Sequence, residues 1–578
     1  MRRLTYSLVF AATLATLSAN PPADPRSERE PLPPAPPQQF EPIPPPAVEA
    51  PPLPPRVFTY ADAVALAVRD AARLDPYTAA YTTYLFVPEN DPIAAAVARV
   101  LSPDGAMPPE QAVFRLMSGH VNFLSRKSRL AVPALVMDFG WDRKWDLIGL
   151  AEWKGVRLLR LNVLDYGWDK RTWDKLANPQ LNPHFHVSLV KDWPGGVYSD
   201  GQTYAKGSFK YVDYALAPWL LEPFPPDHFA MTALRKQNVE ALVAATQTRV
   251  PLIRWDSFLW ASAIQFDRLG AGYYDWLGVK DQKIFDRLVG FDEKASEAFS
   301  SPQFEAVSVS GVAVQPRLVE WYEKIGGQYV RTKDQVNQRA IGDRNPLDVD
   351  VVSQGRLKAD ATEIFAHLPN GLWALGLFNL KDGTRQDSAP DGVGYFHQTL
   401  TNDGKIHAYL ACIVCHDKQP NNGGLKSFTP YFRTLYARGN LTALTAVRKG
   451  KYFDPKELVR LEELLIRPID PASLAKRRYI QALFEATGLA PHEYAAALHK
   501  AFTLYDGPVD LTRAAYDLQV DAETLRRQFA GTLLTSGKFD SVLADFLSPE
   551  GRRQSIGVDQ WAERFSAAML AVRGYAVK

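Results

Sequence analysis

The two cysteines of this 578-residue chain stand three positions apart and are followed directly by a histidine, in the order Cys412, Cys415, His416. This C-x-x-C-H spacing is that of a covalent haem attachment site. In such a site two thiols add across the vinyl groups at one edge of the porphyrin, and the imidazole of the next residue binds the iron. The sequence therefore predicts one covalent haem c, with thioethers at Cys412 and Cys415 and with His416 as the proximal metal ligand.

Three other uses of these residues compete with haem attachment. The thiols could form a disulfide, act as a redox pair, or bind zinc together with His416. A structural zinc site usually takes four nitrogen or sulfur ligands, and the chain has no further cysteine. A C-x-x-C redox pair is expected in a thioredoxin-like βαβ context, which the flanking sequence does not show. Haem is therefore favoured, and the dithiol or disulfide is the principal alternative.

The motif leaves open which ligand binds the opposite face of the iron. A methionine there would raise the reduction potential and suit electron transfer, whereas an open face would allow small-molecule binding or peroxide chemistry. The methionines are interpreted as core residues. His407 is the first candidate for the distal metal ligand, and an open or water-bound face is the alternative. Further candidates are His397, His367, His492, His499, Lys405, Lys418 and Tyr395.

Length and composition describe a folded protein of several domains. A chain of 578 residues is too long for one hydrophobic core, and three or four domains are expected. An apolar content of 46% and a charged content of 22% are typical of globular proteins. The net charge of +2, without a concentrated basic patch, gives no indication of a nucleic-acid partner.

The N-terminus has the pattern of an export signal. Two arginines precede a mostly apolar run from Leu4 to Leu17, which suits a signal-peptide core and is short for a membrane span. We predict a signal peptide over residues 1–19, with an uncleaved N-terminal anchor as the alternative and no other membrane span. Because haem is normally attached outside the cytoplasmic membrane of bacteria, the signal and the motif together indicate a periplasmic or cell-envelope location.

Residues 20–56 are predicted to form a proline-rich linker. Between Pro21 and Pro55, 16 of 35 residues are proline, which lacks the backbone N–H and has a fixed φ. A polyproline-II tether with a rise of about 3.1 Å per residue is expected. The favoured role is a spacer, and a ligand for another protein is the alternative.

Beyond the linker, hydrophobic periodicity predicts a multi-domain α+β protein that is predominantly helical. The predicted divisions are a helical N-terminal domain (57–131), a mixed α/β domain (132–349), a small cytochrome-c-like haem module (350–450) and a C-terminal helical domain (451–578). Helices are expected at 61–68, from Pro109, after an Asp169 cap, around Trp255–Phe266, across the C-x-x-C-H motif, from Asp454 and after Asp521. Strands are expected at 156–164 and 372–378, and a turn at 381–383 follows the second strand.

Several stretches resemble a poorly characterised group of exported bacterial mono-haem c-type proteins. The resemblance is scattered over most of the chain after Val57, and only the haem motif in it is chemically specific. The chain lacks the methionine that the group often has just after C-x-x-C-H. The resemblance implies a haem protein that acts as an electron carrier, without a known substrate or partner. It is carried by residues 366–374 (His-Leu-Pro-Asn-Gly-Leu), 387–390, 411–416, the strand 160–168 ending in Asp-Tyr-Gly-Trp, 310–320 and 504–515.

Three functions are expected to compete. The first is one-electron transfer to or from an unidentified redox partner protein, with no catalytic residues of its own. The second is a haem enzyme or gas sensor with an open distal site, in which Tyr409, His407 or Arg385 would polarise a bound ligand. The third is a binding or scaffold protein with a structural haem. No hydrolase, P-loop or dinucleotide-binding motif is found, which favours the first.

Overall fold

In a computed structural model, the chain separates into two compact units, Met1–Arg56 and Val57–Lys578. The predicted signal peptide and linker, and the predicted domain boundaries near 131, 349 and 450, lie outside the described residues and remain predictions. The structure describes residues 60–125, 157–172, 187–193, 196–197, 203–204, 207–212, 241, 244–245, 252–264, 272–299, 303–307, 317–334, 359–389, 406–417, 474–518, 520–530, 540–548, 550–558, 560–562, 564–565 and 568.

The first half of the described chain combines helices with a three-stranded sheet in the order β2–β1–β7, in which β1 is antiparallel to β2 and parallel to β7. β3 pairs with β6 and β4 with β5, both antiparallel. A 3₁₀ turn, Val163–Tyr166, follows β2. The elements are α1 Tyr60–Ala71, α2 Pro76–Ala80, β1 Thr82–Phe86, α3 Pro92–Leu101, α4 Pro109–Phe123, β2 Leu158–Asn162, β3 Val187–Trp193, β4 Gly196–Val197, β5 Thr203–Tyr204, β6 Gly207–Val212, β7 Leu252–Arg254, α5 Trp255–Ala263, α6 Tyr273–Leu277, α7 Gln282–Val289 and α8 Glu293–Phe299.

A five-stranded antiparallel meander follows, in the order β8–β9–β10–β11–β12. Successive side chains of a strand point to opposite faces of its sheet. Along β11, Glu363, Phe365 and His367 therefore share one face, and Ile364 and Ala366 share the other. The strands are β8 Gln303–Val307, β9 Arg317–Lys324, β10 Gly327–Lys333, β11 Ala361–His367 and β12 Trp373–Asn379.

Helices α7 and α8 cover the face of the meander that carries Ile364 and Ala366. Tyr329 pairs with Ala366 and so points to that face. Its hydroxyl donates to Asp286 of α7 at 2.8 Å, and its ring stacks on Phe291 with centroids 3.6 Å apart. The opposite face is left to meet the helix that carries the C-x-x-C-H motif.

The C-terminal half is mainly helical and is tied to the first sheet by a buried ionic contact. Arg254, at the end of β7, donates to Asp517 at 2.8 Å, and the indole of Trp561 donates to the same carboxylate at 3.0 Å. One hydrophobic cluster of buried residues runs from Ala63 to Ala568. The elements are α9 Leu410–Asp417, α10 Leu474–Thr487, α11 Pro491–Tyr505, β13 Val509–Asp510, α12 Leu511–Asp517, α13 Ala522–Phe529, α14 Ser541–Phe546 and β14 Ser555–Ile556.

The predicted mixed α+β architecture is confirmed, and helix exceeds strand among the described residues. The expected elements α1, α4, β2, α5, β12, α9 and α13 lie where periodicity and capping residues indicated them. Within residues 57–131, which were predicted to form a helical domain, the structure also contains the strand β1. Its sequence, Thr-Thr-Tyr-Leu-Phe, is buried throughout, and a short apolar run does not distinguish a buried strand from a buried helix. Among the described residues, no helix combines the length and apolar character needed to cross a membrane.

Candidate haem site

Helix α9 carries the whole C-x-x-C-H motif. With 3.6 residues per turn, Cys415 and His416 lie about 60° and 40° to either side of Cys412 around the helix axis. Both sulfur atoms and the imidazole therefore belong to one side of the helix. Neither cysteine forms a disulfide; Cys412 is buried and Cys415 is half-buried.

Strand β11 lies against this side of α9. The thiol of Cys412 donates to Oε1 of Glu363 at 3.4 Å. The imidazole of His416 meets the ring of Phe365 edge-on, with centroids 4.5 Å apart and planes at 61°. Glu363 and Phe365 are two positions apart on one strand, so a single strand face contacts both the attachment thiol and the predicted iron ligand.

Behind Cys412, three charged side chains form what we call the Glu363 cluster: Glu363, Arg317 and Asp334. Arg317 bridges the two carboxylates, with Nε 3.1 Å from Asp334 and Nη1 3.1 Å from Glu363. Thr332 completes the arrangement, since its hydroxyl donates to Asp334 at 2.5 Å and accepts from the backbone N–H of Glu363 at 2.9 Å. The side chains of the cluster are only 6–14% exposed, so their charges interact with little screening.

This environment keeps Cys412 in the thiol form. Burial, and then the Glu363 carboxylate, raise the pKa of Cys412 well above its ordinary value. Burial also raises the pKa of Glu363, although Arg317 opposes it. Nucleophilic and redox-active cysteines need a lowered pKa because the thiolate is the reacting species. The Cys412 environment therefore disfavours thiolate chemistry, whereas thioether formation with a vinyl group consumes a sulfur together with its hydrogen.

The C-terminal end of α9 is held by α10. Asp417, directly after His416, accepts a short hydrogen bond from the hydroxyl of Tyr479, and both side chains are buried. The ring of Tyr479 lies 6.2 Å from that of Trp373 on β12, on the same sheet face as Phe365. The predicted iron ligand thus sits between a strand on one side and a tethered carboxylate at the helix end.

The N-terminal end of α9 is preceded by a tyrosine in an unusual conformation. Tyr409 has a backbone φ of 75°, a value that residues other than glycine rarely adopt. Its hydroxyl lies 3.0 Å from Nδ1 of His120 and 3.1 Å from the hydroxyl of Tyr494, and its ring stacks on Tyr273 at 4.9 Å. These buried contacts stabilise the backbone turn that starts the motif helix.

The residue types and spacing at the site match those of a covalent haem attachment site. The two thiols and the imidazole project from one side of α9. The more buried sulfur, that of Cys412, is held as a thiol, and the ring of Phe365 packs against the imidazole. When bound, the haem would be held by Cys412, Cys415 and His416 and would supply a reversible one-electron change. Among the described residues, no group of three or more His, Cys, Asp or Glu side chains is arranged to hold a metal ion by itself.

The predicted distal ligands are placed only in part. His407 is buried three residues before α9, pairs with Ser388 in an isolated bridge, and accepts from the N–H of Ala411 through its carbonyl. His367 lies on β11, where its Nδ1 accepts from the N–H of Gln328. Assignment of His407 as distal ligand remains a prediction. His492 and His499 lie on α11; His397, Lys405, Lys418 and Tyr395 lie outside the described residues.

Two residues proposed from sequence proximity for a distal pocket have other contacts. Arg385 donates to the carbonyl of Val279 at 2.8 Å and lies over the ring of Tyr274. The hydroxyl of Tyr409 is hydrogen-bonded to His120 and Tyr494. The Glu363 cluster, by contrast, is marked by no sequence motif, and the only sequence signal for it is a carboxylate within the mostly apolar strand β11.

No family model, no curated protein and no solved structure matches this chain.

Proposed function

We propose that this protein is an exported c-type cytochrome that carries one covalent haem and transfers single electrons. The observation that carries the proposal is the arrangement of Cys412, Cys415 and His416 on one side of α9. A bare dithiol would need neither the adjacent imidazole nor a protonated, buried Cys412. The pattern of the N-terminal residues, typical of an export signal, supports the same reading because haem is attached outside the cytoplasm.

Each residue of the site has a distinct role in this proposal. The sulfur of each cysteine bonds to a vinyl carbon and its hydrogen goes to the neighbouring vinyl carbon, so attachment is redox-neutral. Glu363 orients the Cys412 thiol by accepting its hydrogen bond at 3.4 Å. Phe365 fixes the plane of the His416 ring, and outer contacts of this kind orient a metal-binding imidazole.

The haem module in this proposal consists of α9 and the sheet face formed by β11 and β12. We infer that it acts as the small cytochrome-like unit expected from the sequence, and that the scattered resemblance to exported mono-haem proteins reflects a shared haem block. A partner redox protein would exchange electrons with it. The distal face of the iron, with His407 as first candidate, decides between pure electron transfer and ligand binding.

The proposal is tested by producing the chain in a bacterial host with haem-attachment machinery. We expect a mass equal to the processed chain plus one haem after denaturation, and c-type absorption bands in the reduced protein. Replacing both Cys412 and Cys415 by serine should remove the haem mass. His416→Ala should abolish the low-spin spectrum, whereas the matched control His228→Ala should leave it unchanged.

A colourless product with the bare chain mass would contradict the proposal. Carbon monoxide added to the reduced protein then tests the distal face: an unchanged spectrum supports electron transfer, and a rapid shift supports the ligand-binding alternative. His407→Ala should create carbon monoxide binding if His407 is the distal ligand.

A further inference from the structure

A directional hydrogen-bond chain is buried beside the N-terminal end of α9. The hydroxyl of Ser262 donates a short bond to the carbonyl of Phe258, so its oxygen is left to accept from Nε2 of His120 at 2.7 Å. Nδ1 of His120 therefore carries the lone pair, and the hydroxyl of Tyr409 donates to it across 3.0 Å. Since its one proton points to His120, Tyr409 accepts from Tyr494.

We propose that Tyr409 and His120 form a second one-electron redox site, in which the Tyr409 phenol loses an electron while its proton moves to Nδ1 of His120. An oxidised phenol becomes a very strong acid, so a tyrosine without a positioned proton acceptor is hard to oxidise reversibly. Here the acceptor lies at hydrogen-bonding distance and its tautomer is set by Ser262. This inference depends on the proposed haem as the site where the natural oxidant reacts, whereas the hydrogen-bond geometry does not depend on the haem.

The protein matrix suits a reversible proton transfer. His120 and Tyr409 are fully buried, and burial lowers the pKa of His120 to about 3, so the imidazole is neutral and able to accept at physiological pH. The same burial disfavours a lasting imidazolium. The proton is therefore expected to return to the phenol when the radical is reduced.

Tyr409 is also close to the predicted haem edge. It precedes Cys412 by three residues, which limits the separation of their Cα atoms to about 11 Å. Its ring stacks on that of Tyr273, with centroids 4.9 Å apart. The short sequence separation therefore keeps Tyr409 near the predicted attachment sulfur.

The proposed reaction uses a hydroperoxide as oxidant, and it applies to the ligand-binding alternative, in which the distal face of the haem is open to the peroxide. Hydrogen peroxide takes up two electrons and two solvent protons, its oxygen–oxygen bond breaks, and two water molecules leave. One electron would come from the haem and the other from Tyr409, whose proton passes to His120. Two later one-electron reductions, one of the haem and one of Tyr409, would close the cycle, and the proton returns from Nδ1. The pair would in this way remove an oxidising equivalent from the haem without damage to the surrounding core.

The test uses the full haem-bearing chain and two oxidants, hydrogen peroxide and flash-generated ruthenium(III) tris-bipyridine. Rapid freezing and electron paramagnetic resonance should detect a tyrosyl radical that changes its hyperfine pattern when tyrosine is ring-deuterated. In D₂O, electron–nuclear double resonance should find an exchangeable deuteron hydrogen-bonded to the phenoxyl oxygen. Tyr409→Phe should lower the radical yield by about tenfold or more.

The matched control is Tyr273→Phe. Tyr273 is equally buried and stacks on Tyr409, but its hydroxyl accepts from the N–H of Leu375 and is not paired with an imidazole. This variant should keep the radical. Equal radical yields in wild type and Tyr409→Phe would overturn the inference. So would a wild-type radical without a hydrogen-bonded deuteron. The second measurement does not depend on any variant, so it holds even if Tyr409→Phe folds poorly. A haem-free product would contradict the haem proposal alone. The ruthenium oxidant can oxidise Tyr409 without haem, so the Tyr409 inference would still be tested.

Discussion

Replacing Gly119 of α4 by alanine tests whether the packing around Tyr494 is as tight as the structure has it. A β-carbon at this position would lie 2.4 Å from Cε2 of Tyr494 and 3.0 Å from Cγ2 of Thr487. In an exposed helix the exchange of glycine for alanine stabilises by about 1 kcal/mol. Overpacking a core costs about 1–3 kcal/mol. The sign of the net effect therefore depends on whether Tyr494 can move.

Tyr494 has little freedom to move. It is fully buried, its hydroxyl is bonded to Tyr409, and its ring stacks on Phe123 at 5.8 Å. The upper end of the overpacking cost applies, and Gly119→Ala should destabilise the fold by about 2 kcal/mol after the helix gain is subtracted. Urea unfolding should show a lower midpoint with an unchanged slope.

The matched control is Gly557→Ala, where an added β-carbon meets nothing within 4 Å. It should be neutral or stabilising by up to about 1 kcal/mol. Adding Tyr494→Leu to Gly119→Ala should recover part of the loss, because the two positions are in contact and their effects are not additive. If Gly119→Ala matched Gly557→Ala, the close approach of α4 and α11 would be wrong.

Two further predictions concern buried carboxylates. Burial raises the pKa of Asp286 from 3.8 to about 6. Because the folded state binds this proton more tightly than the unfolded state, the carboxyl favours folding most below about pH 4. This contribution of ~3 kcal/mol is lost as the pH rises through about 6. Asp286→Asn should flatten the pH dependence of the urea midpoint over this range, and an unchanged pH profile would argue against a buried Asp286. Asp517→Asn removes one carboxylate from the buried Arg254 and should cost about 3–5 kcal/mol in urea unfolding. A loss below about 1 kcal/mol would show that Arg254 needs only its second partner, Asp256, 2.7 Å away.

The proposed attachment residues of the candidate site could be identified from the sequence because they lie close together in it. Cys412, Cys415 and His416 are spaced so that any helix brings them to one side, and their residue types restrict the chemistry. The helical conformation of this stretch was also predictable. No contact with a distant part of the chain is needed for either conclusion.

The surroundings of the motif could not be predicted in this way. Arg317 and Glu363 meet because β9, β10 and β11 are neighbours in a particular register. A slip of one residue would turn Glu363 to the opposite face, against α7 and α8, and would remove it from Cys412. Sequence alternation indicates that a strand has two faces, but it does not indicate which helix covers each one.

By itself the sequence determined the C-x-x-C-H spacing on which the proposed haem attachment rests, the helix that presents this motif and most of the long amphipathic elements. All of these depend on residues within a few positions of one another. Only the tertiary structure decided that His120 meets Tyr409, 289 residues later, and that Ser262 sets its tautomer. From sequence His120 is one more histidine within a helix. Its partner depends on how helices from distant parts of the chain pack in the core, and local residue preferences carry no information about that packing.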